Sequence, residues 1–139
     1  MMDDPQAPEL VLDEFADDVP VQLMLVALLD NPWRLWTVQK LAEFFRQSPW
    51  AIYRRMSRLR HCGMVQRVPF WSDDDGPWPY WVSPDGLRSS RWLIRANFEV
   101  LHGLAVPLGL SVRKALGFGP LLDACRCDCG RCCCGLPYI

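Results

Sequence analysis

Two groups of residues in this chain combine reactive or strongly interacting side chains with spacings that suggest chemistry. The first is Cys125, Cys127, Cys129, Cys132, Cys133 and Cys134, which places six of the seven cysteines within ten residues. Thiolates are soft ligands, and the Cys129-x-x-Cys132 separation lets two of them share one tetrahedral metal. Zinc, copper(I) or an iron–sulfur cluster would suit such ligands, yet the spacing matches neither a paired zinc ribbon nor a ferredoxin run. The run therefore reads either as a metal or thiol sensor or as a dispensable, redox-sensitive tail, and the rest of the chain requires no cofactor. Cys62 stands apart, just before Gly63, and reads as a small buried apolar residue.

The second group is basic and aromatic. Between residues 34 and 67, eight Lys and Arg stand against one carboxylate, Glu43, giving a local charge of +7 inside a 139-residue chain whose net charge is −1. Residues 1–18 carry seven carboxylates and no Lys or Arg. A basic block beside an acidic arm suits a polyanion-binding surface, although a solvated helix face has the same composition. Trp50, Tyr53, Arg54, Ser57, Arg58 and His61 recur at helical spacing within the block, with Ser48 before them, Arg55 and Arg60 interleaved and Arg67 beyond. Catalysis finds little footing. His61 and His102 are the only histidines, neither lies in a nucleophile or metal motif, and Gly117-Phe118-Gly119-Pro120 lacks the further glycine of a phosphate loop. The protein is not expected to be an enzyme.

The elements that position the basic group have clear punctuation. Thr37 is a suitable N-cap ahead of Val38, Leu41, Ala42 and Phe45, which share one helical face. Ser48 caps a second helix with Pro49 at its first position, and Ile52, Met56 and Leu59 must point inward from it. Gly63 supplies the left-handed residue that ends this helix. Met64 to Pro69 and Tyr80 to Val82 then read as paired strands, with Phe70 to Pro79 as their loop and Asp73-Asp74-Asp75-Gly76-Pro77 as its turn. Ser83 caps a long helix begun by Pro84. Upstream, Val19 to Leu29 forms a first helix, and Trp33 to Trp36 a short strand or connector.

This ordered set resembles the winged helix-turn-helix of bacterial transcription regulators of the MarR or PadR type. In that family a leucine-alanine-(glutamate/lysine) segment lies on the support helix and a serine opens the recognition helix. A leucine and glycine close that helix, and a hairpin wing returns to a threonine/serine-proline-x-glycine helix start. Here Leu41-Ala42-Glu43, Ser48, Leu59, Gly63 and Ser83-Pro84-Asp85-Gly86 follow in that order, and the resemblance spans roughly residues 20 to 104. It implies a mainly α fold with a small β-hairpin, and a sequence-specific regulator that lays its recognition helix in the major groove of duplex DNA. Ser48, Trp50, Tyr53 and Arg54 then lie nearest the bases, with Arg54 able to hold a guanine through two hydrogen bonds. Arg55, Arg58 and Arg60 flank the phosphate backbone, and Ser57 and Arg67 complete the surface. The acidic wing tip departs from the family pattern, in which Arg or Lys faces the minor groove. Trp71, Trp78, Tyr80 and Trp81 around that tip either bind a partner or aromatic effector or pack the wing against the body. A winged-helix protein-interaction module and a thiol- or metal-responsive DNA-binding sensor are the competing readings.

Residues 1–18 are expected as an acidic flexible arm, 19–106 as the winged domain with its C-terminal helix, and 107–139 as a tail with a short helix over Leu110 to Leu116. The long helix carries two apolar stripes, Ile94, Phe98, Leu101 and Ala105, and Leu93, Ala96, Val100 and Leu104. It either pairs with a second subunit, giving a homodimer through residues 87–105, or folds back on the first helix of its own chain. No apolar run reaches the ~20 residues of a spanning helix and no secretory signal is evident, so the protein is expected in the cytoplasm, away from membranes.

Overall fold

Val19–Asp30 has apolar side chains on every side, and this helix, α2, is the one on which most of the others pack. Val21, Met24, Leu25, Val26, Ala27 and Leu28 are all buried. The computed structural model describes residues 12–31 and 34–117 as a mainly helical fold with one small antiparallel sheet. The remaining helices are α1 (Leu12–Phe15), α3 (Val38–Phe45), α4 (Pro49–His61), α5 (Pro84–Ala96), α6 (Phe98–Ala105) and α7 (Val112–Ala115). α5, α6 and α7 pack on α2, while α3 and α4 pair with each other. Among the described residues no helix is long and apolar enough to cross a membrane.

Local capping chemistry sets most of the boundaries. Thr37, Ser48 and Ser83 each accept the backbone N–H three residues on, from Lys40, Ala51 and Gly86 at 3.1, 3.1 and 2.9 Å. α4 ends in a Schellman arrangement: Gly63 adopts φ 77°, its N–H reaches the Arg60 carbonyl at 2.9 Å, and Met64 N–H reaches Leu59 O at 2.9 Å. β1 (Val65–Arg67) pairs with β2 (Tyr80–Val82) in the register Val65 to Val82, Gln66 to Trp81 and Arg67 to Tyr80. On the other side of β2, Trp36 forms a single antiparallel bridge to Tyr80, and its buried indole donates to Ala27 O at 3.1 Å. The connector expected at Trp33 to Trp36 thus ends in a bridge that ties the sheet to α2.

Ser83 joins three of these elements. Its N–H donates to Met64 O at 2.9 Å and its hydroxyl to Gly63 O at 2.6 Å, so α5 starts against the end of α4. Midway along α5, half-buried Arg91 donates from Nε to Ala115 O at 3.4 Å, at the carbonyl end of α7. Burial, together with the nearby charge of Arg95, lowers the Arg91 pKa.

Two expected boundaries differ. The acidic arm stops short of residue 18, because Phe15 is wholly buried and Asp18 caps α2 by accepting Val21 N–H at 3.2 Å. The carbonyls that follow Phe15 into the interior need donors, and Gln22 supplies them. Its amide donates to Phe15 O at 2.6 Å and Ala16 O at 2.9 Å. The part of the arm before residue 12 lies outside the described residues.

The long helix expected after Ser83 is also two helices, α5 and α6, which meet at Asn97 (φ −119°, ψ 34°). Asn97 Nδ2 donates to Ala16 O at 3.1 Å and to Gln22 Oε1 at 2.8 Å, a pair of tertiary bonds formed at the break between the two helices. Ile94, Leu101 and Ala105 of the first apolar stripe are buried against the core, with Phe98 partly so and Leu93 beside them. These residues fold back on the chain's own α2. Ala96, Val100 and Leu104 of the second stripe are exposed. The short helix expected from Leu110 to Leu116 is observed over Val112–Ala115, capped by Ser111.

Candidate nucleic-acid interface

α3 and α4 are joined by a turn of three residues. Arg46 takes the left-handed conformation (φ 56°), which lets Gln47 N–H reach back to Ala42 O at 2.9 Å before Ser48 opens α4. A glycine is the usual choice for such a residue, so the turn was legible from Ser48-Pro49 while its left-handed member was not.

α4 buries Ile52, Met56 and Leu59 and turns Trp50, Tyr53, Arg54 and His61 outward, with Ser57 half-buried among them. Trp50 is 66% and Tyr53 48% exposed, and their rings stack at 5.9 Å with 20° between planes. Among the described residues the exposed Arg54 side chain has no hydrogen-bond or ion-pair partner. Trp50, Tyr53, Arg54 and Ser57 therefore share one outward side of α4, and Ser48 caps its start.

The other arginines divide. At about 100° per residue, Arg55 and Arg58 fall on one flank of this face and Arg60 on the other. Arg55 is held by the Gln47 side-chain carbonyl, back toward the turn. Arg60 and Arg67 line a shallow recess with Gly63, Gln66 and Asp85, between the end of α4 and the sheet. Arg67 lies over the Trp78 ring at 5.1 Å and Arg60 near Tyr80 at 5.8 Å.

Arg58, expected as a free backbone contact, is instead engaged inside the molecule. Its guanidinium meets Asp18 Oδ2 at 2.9 Å and Glu14 Oε2 at 3.3 Å and lies over the Phe15 ring at 4.9 Å. Desolvation opposes its charge, but the hydrogen bonds to Asp18 and Glu14 and their negative charges outweigh that and raise its pKa. The composition of residues 1–18 hid this contact, because Phe15 had to be recognised as a core residue before its acidic neighbours could be placed beside α4.

Cys62 is half-buried rather than buried, and its thiol donates to Glu14 Oε1 at 3.4 Å. Burial raises its pKa, and the hydrogen bond and charge of Glu14 add to the effect against the opposing charge of Arg58. The thiol is consequently a poor nucleophile near neutral pH. With the six tail cysteines replaced by serine, Cys62 should alkylate with iodoacetamide more slowly than free cysteine at pH 8. Glu14→Gln should accelerate the reaction, and a rate indifferent to that change would show that the contact is not made in solution.

The hairpin loop separates its aromatic residues into two roles. Trp71 donates to Gly76 O at 3.2 Å, Trp78 donates to Val68 O at 3.1 Å, and Tyr80 is buried, so these three pack the loop and its base. Trp81 is partly exposed, and Phe70, which attracted no attention in the sequence, is fully exposed in the left-handed region at φ 66°. Asp73–Asp75 forms a single helical turn at the tip, organised by Ser72, whose hydroxyl accepts Asp74 N–H at 3.1 Å.

Cys125, Cys127, Cys129, Cys132, Cys133 and Cys134 lie outside the described residues. Among the described residues no group of three or more His, Cys, Asp and Glu side chains is arranged to hold a metal ion. Exposed His102 stacks on Phe98 at 5.7 Å and 6°. Compared with known proteins, the chain matches no protein-family model, no curated protein and no solved structure.

Proposed function

We propose that this protein is a winged helix-turn-helix transcriptional regulator that binds duplex DNA by laying α4 in the major groove. The observation that carries the reading is the open face of α4, where unpaired Arg54 stands beside exposed Trp50 and Tyr53 and opposite the buried Ile52, Met56 and Leu59. A major groove about 12 Å wide admits one such helix. Residues in its first turns reach base edges while flanking cations meet phosphates. Arg54 reads a base, with Ser48 and Ser57 beside it. Arg46, Arg55, Arg60 and Arg67 supply the positive flank, and the pairing of Arg58 with Glu14 and Asp18 removes it from the main contacts.

The β1–β2 hairpin serves as the wing. Its acidic tip is repelled by phosphates, so the wing contacts DNA through Arg67, where β1 enters the loop. A homodimer is part of the same proposal, formed through Ala96, Val100 and Leu104, the apolar portion of residues 87–105 that the core leaves outside. The reading implies a cytoplasmic protein, and the Cys125–Cys134 run remains open to zinc, copper(I) or an iron–sulfur cluster as an attached sensor.

The test is selection from random duplexes at two salt concentrations, followed by gel shifts of the selected site. Arg54→Ala should relax the preference at one base position by about 1–3 kcal/mol. Arg58→Ala should barely change sequence preference or salt slope and should instead lower the unfolding free energy, by at most about 1 kcal/mol for so exposed a pair. Equal, small losses for both variants on every duplex would overturn the assignment of α4 as the reading helix.

A further inference from the structure

Trp50 and Tyr53 place two large apolar rings in water at the start of the helix that the proposed function assigns to base reading. They are 66% and 48% exposed, and their rings stack on each other at 5.9 Å. Their neighbours on the same face are Arg54 and Ser57, both suited to polar partners. Whatever covers the rings must therefore present a small apolar group inside a surface that is otherwise anionic and rich in hydrogen-bonding atoms. In the major groove one group has that character, the 5-methyl of thymine.

We infer that Trp50 and Tyr53 form a reader of thymine 5-methyl groups, adjoining the base held by Arg54. The inference rests on the duplex-binding reading. The ring separation of 5.9 Å exceeds one base-pair rise of about 3.4 Å, so the pair spans neighbouring base pairs and favours a T-rich step beside the Arg54 contact. Stacking on an unpaired base is the competing use of exposed aromatic rings, but single-strand sites line a groove that tracks the backbone. Here the rings sit on the outward side of a helix, and the recess at Arg60, Gly63 and Arg67 is at its opposite end.

The experiment uses the full chain and the duplex obtained by selection, with each thymine replaced in turn by deoxyuridine, which deletes the methyl alone. One or two positions next to the base read by Arg54 should weaken roughly three- to tenfold, the value of a buried methyl group. Trp50→Ala and Tyr53→Ala, both at exposed positions, should bind the thymine and deoxyuridine duplexes about equally while keeping the preference that depends on Arg54. A selected duplex that depends on Arg54 but binds equally with thymine or deoxyuridine throughout would overturn this inference and leave the functional reading standing. Tighter binding to the single strand than to its duplex would also overturn it, in favour of base stacking. Failure to bind any duplex would remove both.

Discussion

A chain with glutamate in place of Leu101 should lose its fold, whereas glutamate one residue earlier should leave it intact. Leu101 is fully buried among the residues that close on α2, while Val100 is 52% exposed. A carboxylate at position 101 has no cation or donor set provided for it, and an unpaired buried charge is among the few single changes that exceed about 4 kcal/mol. Domains of this size are stable by about 5–15 kcal/mol in total, so the variant should unfold at much lower denaturant or populate an expanded state. Val100→Glu and Leu104→Glu should shift stability by no more than about 0.5 kcal/mol. Circular dichroism against urea separates the outcomes, and equal midpoints for the 100 and 101 variants would contradict the packing of α6. The same surface variants test the proposed dimer by sedimentation, without the loss of fold expected at Leu101.

Gly86→Ala should be the most damaging of the conservative substitutions. A Cβ at this position would stand 2.4 Å from Met64 O, 2.5 Å from Met64 Cα and 2.8 Å from Met64 C, all of them main-chain atoms. No side chain can rotate away, so α5 must move off the junction between α4 and β1, and overpacking of this kind costs about 1–3 kcal/mol or more. That movement would also strain the Ser83 bonds to Gly63 and Met64, which hold the β1–β2 hairpin against the end of α4. Alanine at Gly103 of α6 provides the contrast. Nothing lies within 4 Å of its Cβ position, and lower entropy of the unfolded chain should stabilise that variant by about 0.4–1 kcal/mol. Similar thermal midpoints for the two variants would mean that α5 does not approach Met64 as closely as described.

What the sequence revealed was what local chemistry decides. The caps at Thr37, Ser48 and Ser83, the left-handed Gly63 and the strand Tyr80–Val82 depend on groups within a few residues, and each is found where composition and spacing placed it. The inward set on α4 followed from periodicity for the same reason. The break at Asn97 had no such signal, since neither proline nor glycine marks it and its side chain bonds to residues 75 and 81 positions away. Arg58 illustrates the same limit within the candidate interface. Its helical position suggested an outward cation, but its partners, 40 and 44 residues earlier, were concealed in a segment whose charge masked the anchoring Phe15.

The amide pair of Gln22 and Asn97 can close only late in synthesis. Gln22 is made early, yet its partner amide arrives 75 residues later, and the helices that cover α2 begin only at Pro84. At translation rates of about 5–20 residues per second, that interval lasts roughly 4–15 s. Throughout it an all-round apolar helix leaves the ribosome without its cover, while the contacts that would bury it are still unmade. The amino-terminal turn at Phe15 is therefore both the first part of the described fold to be synthesised and among the last to be secured, since Asn97 and the covering helices α6 and α7 all follow it late in the described chain.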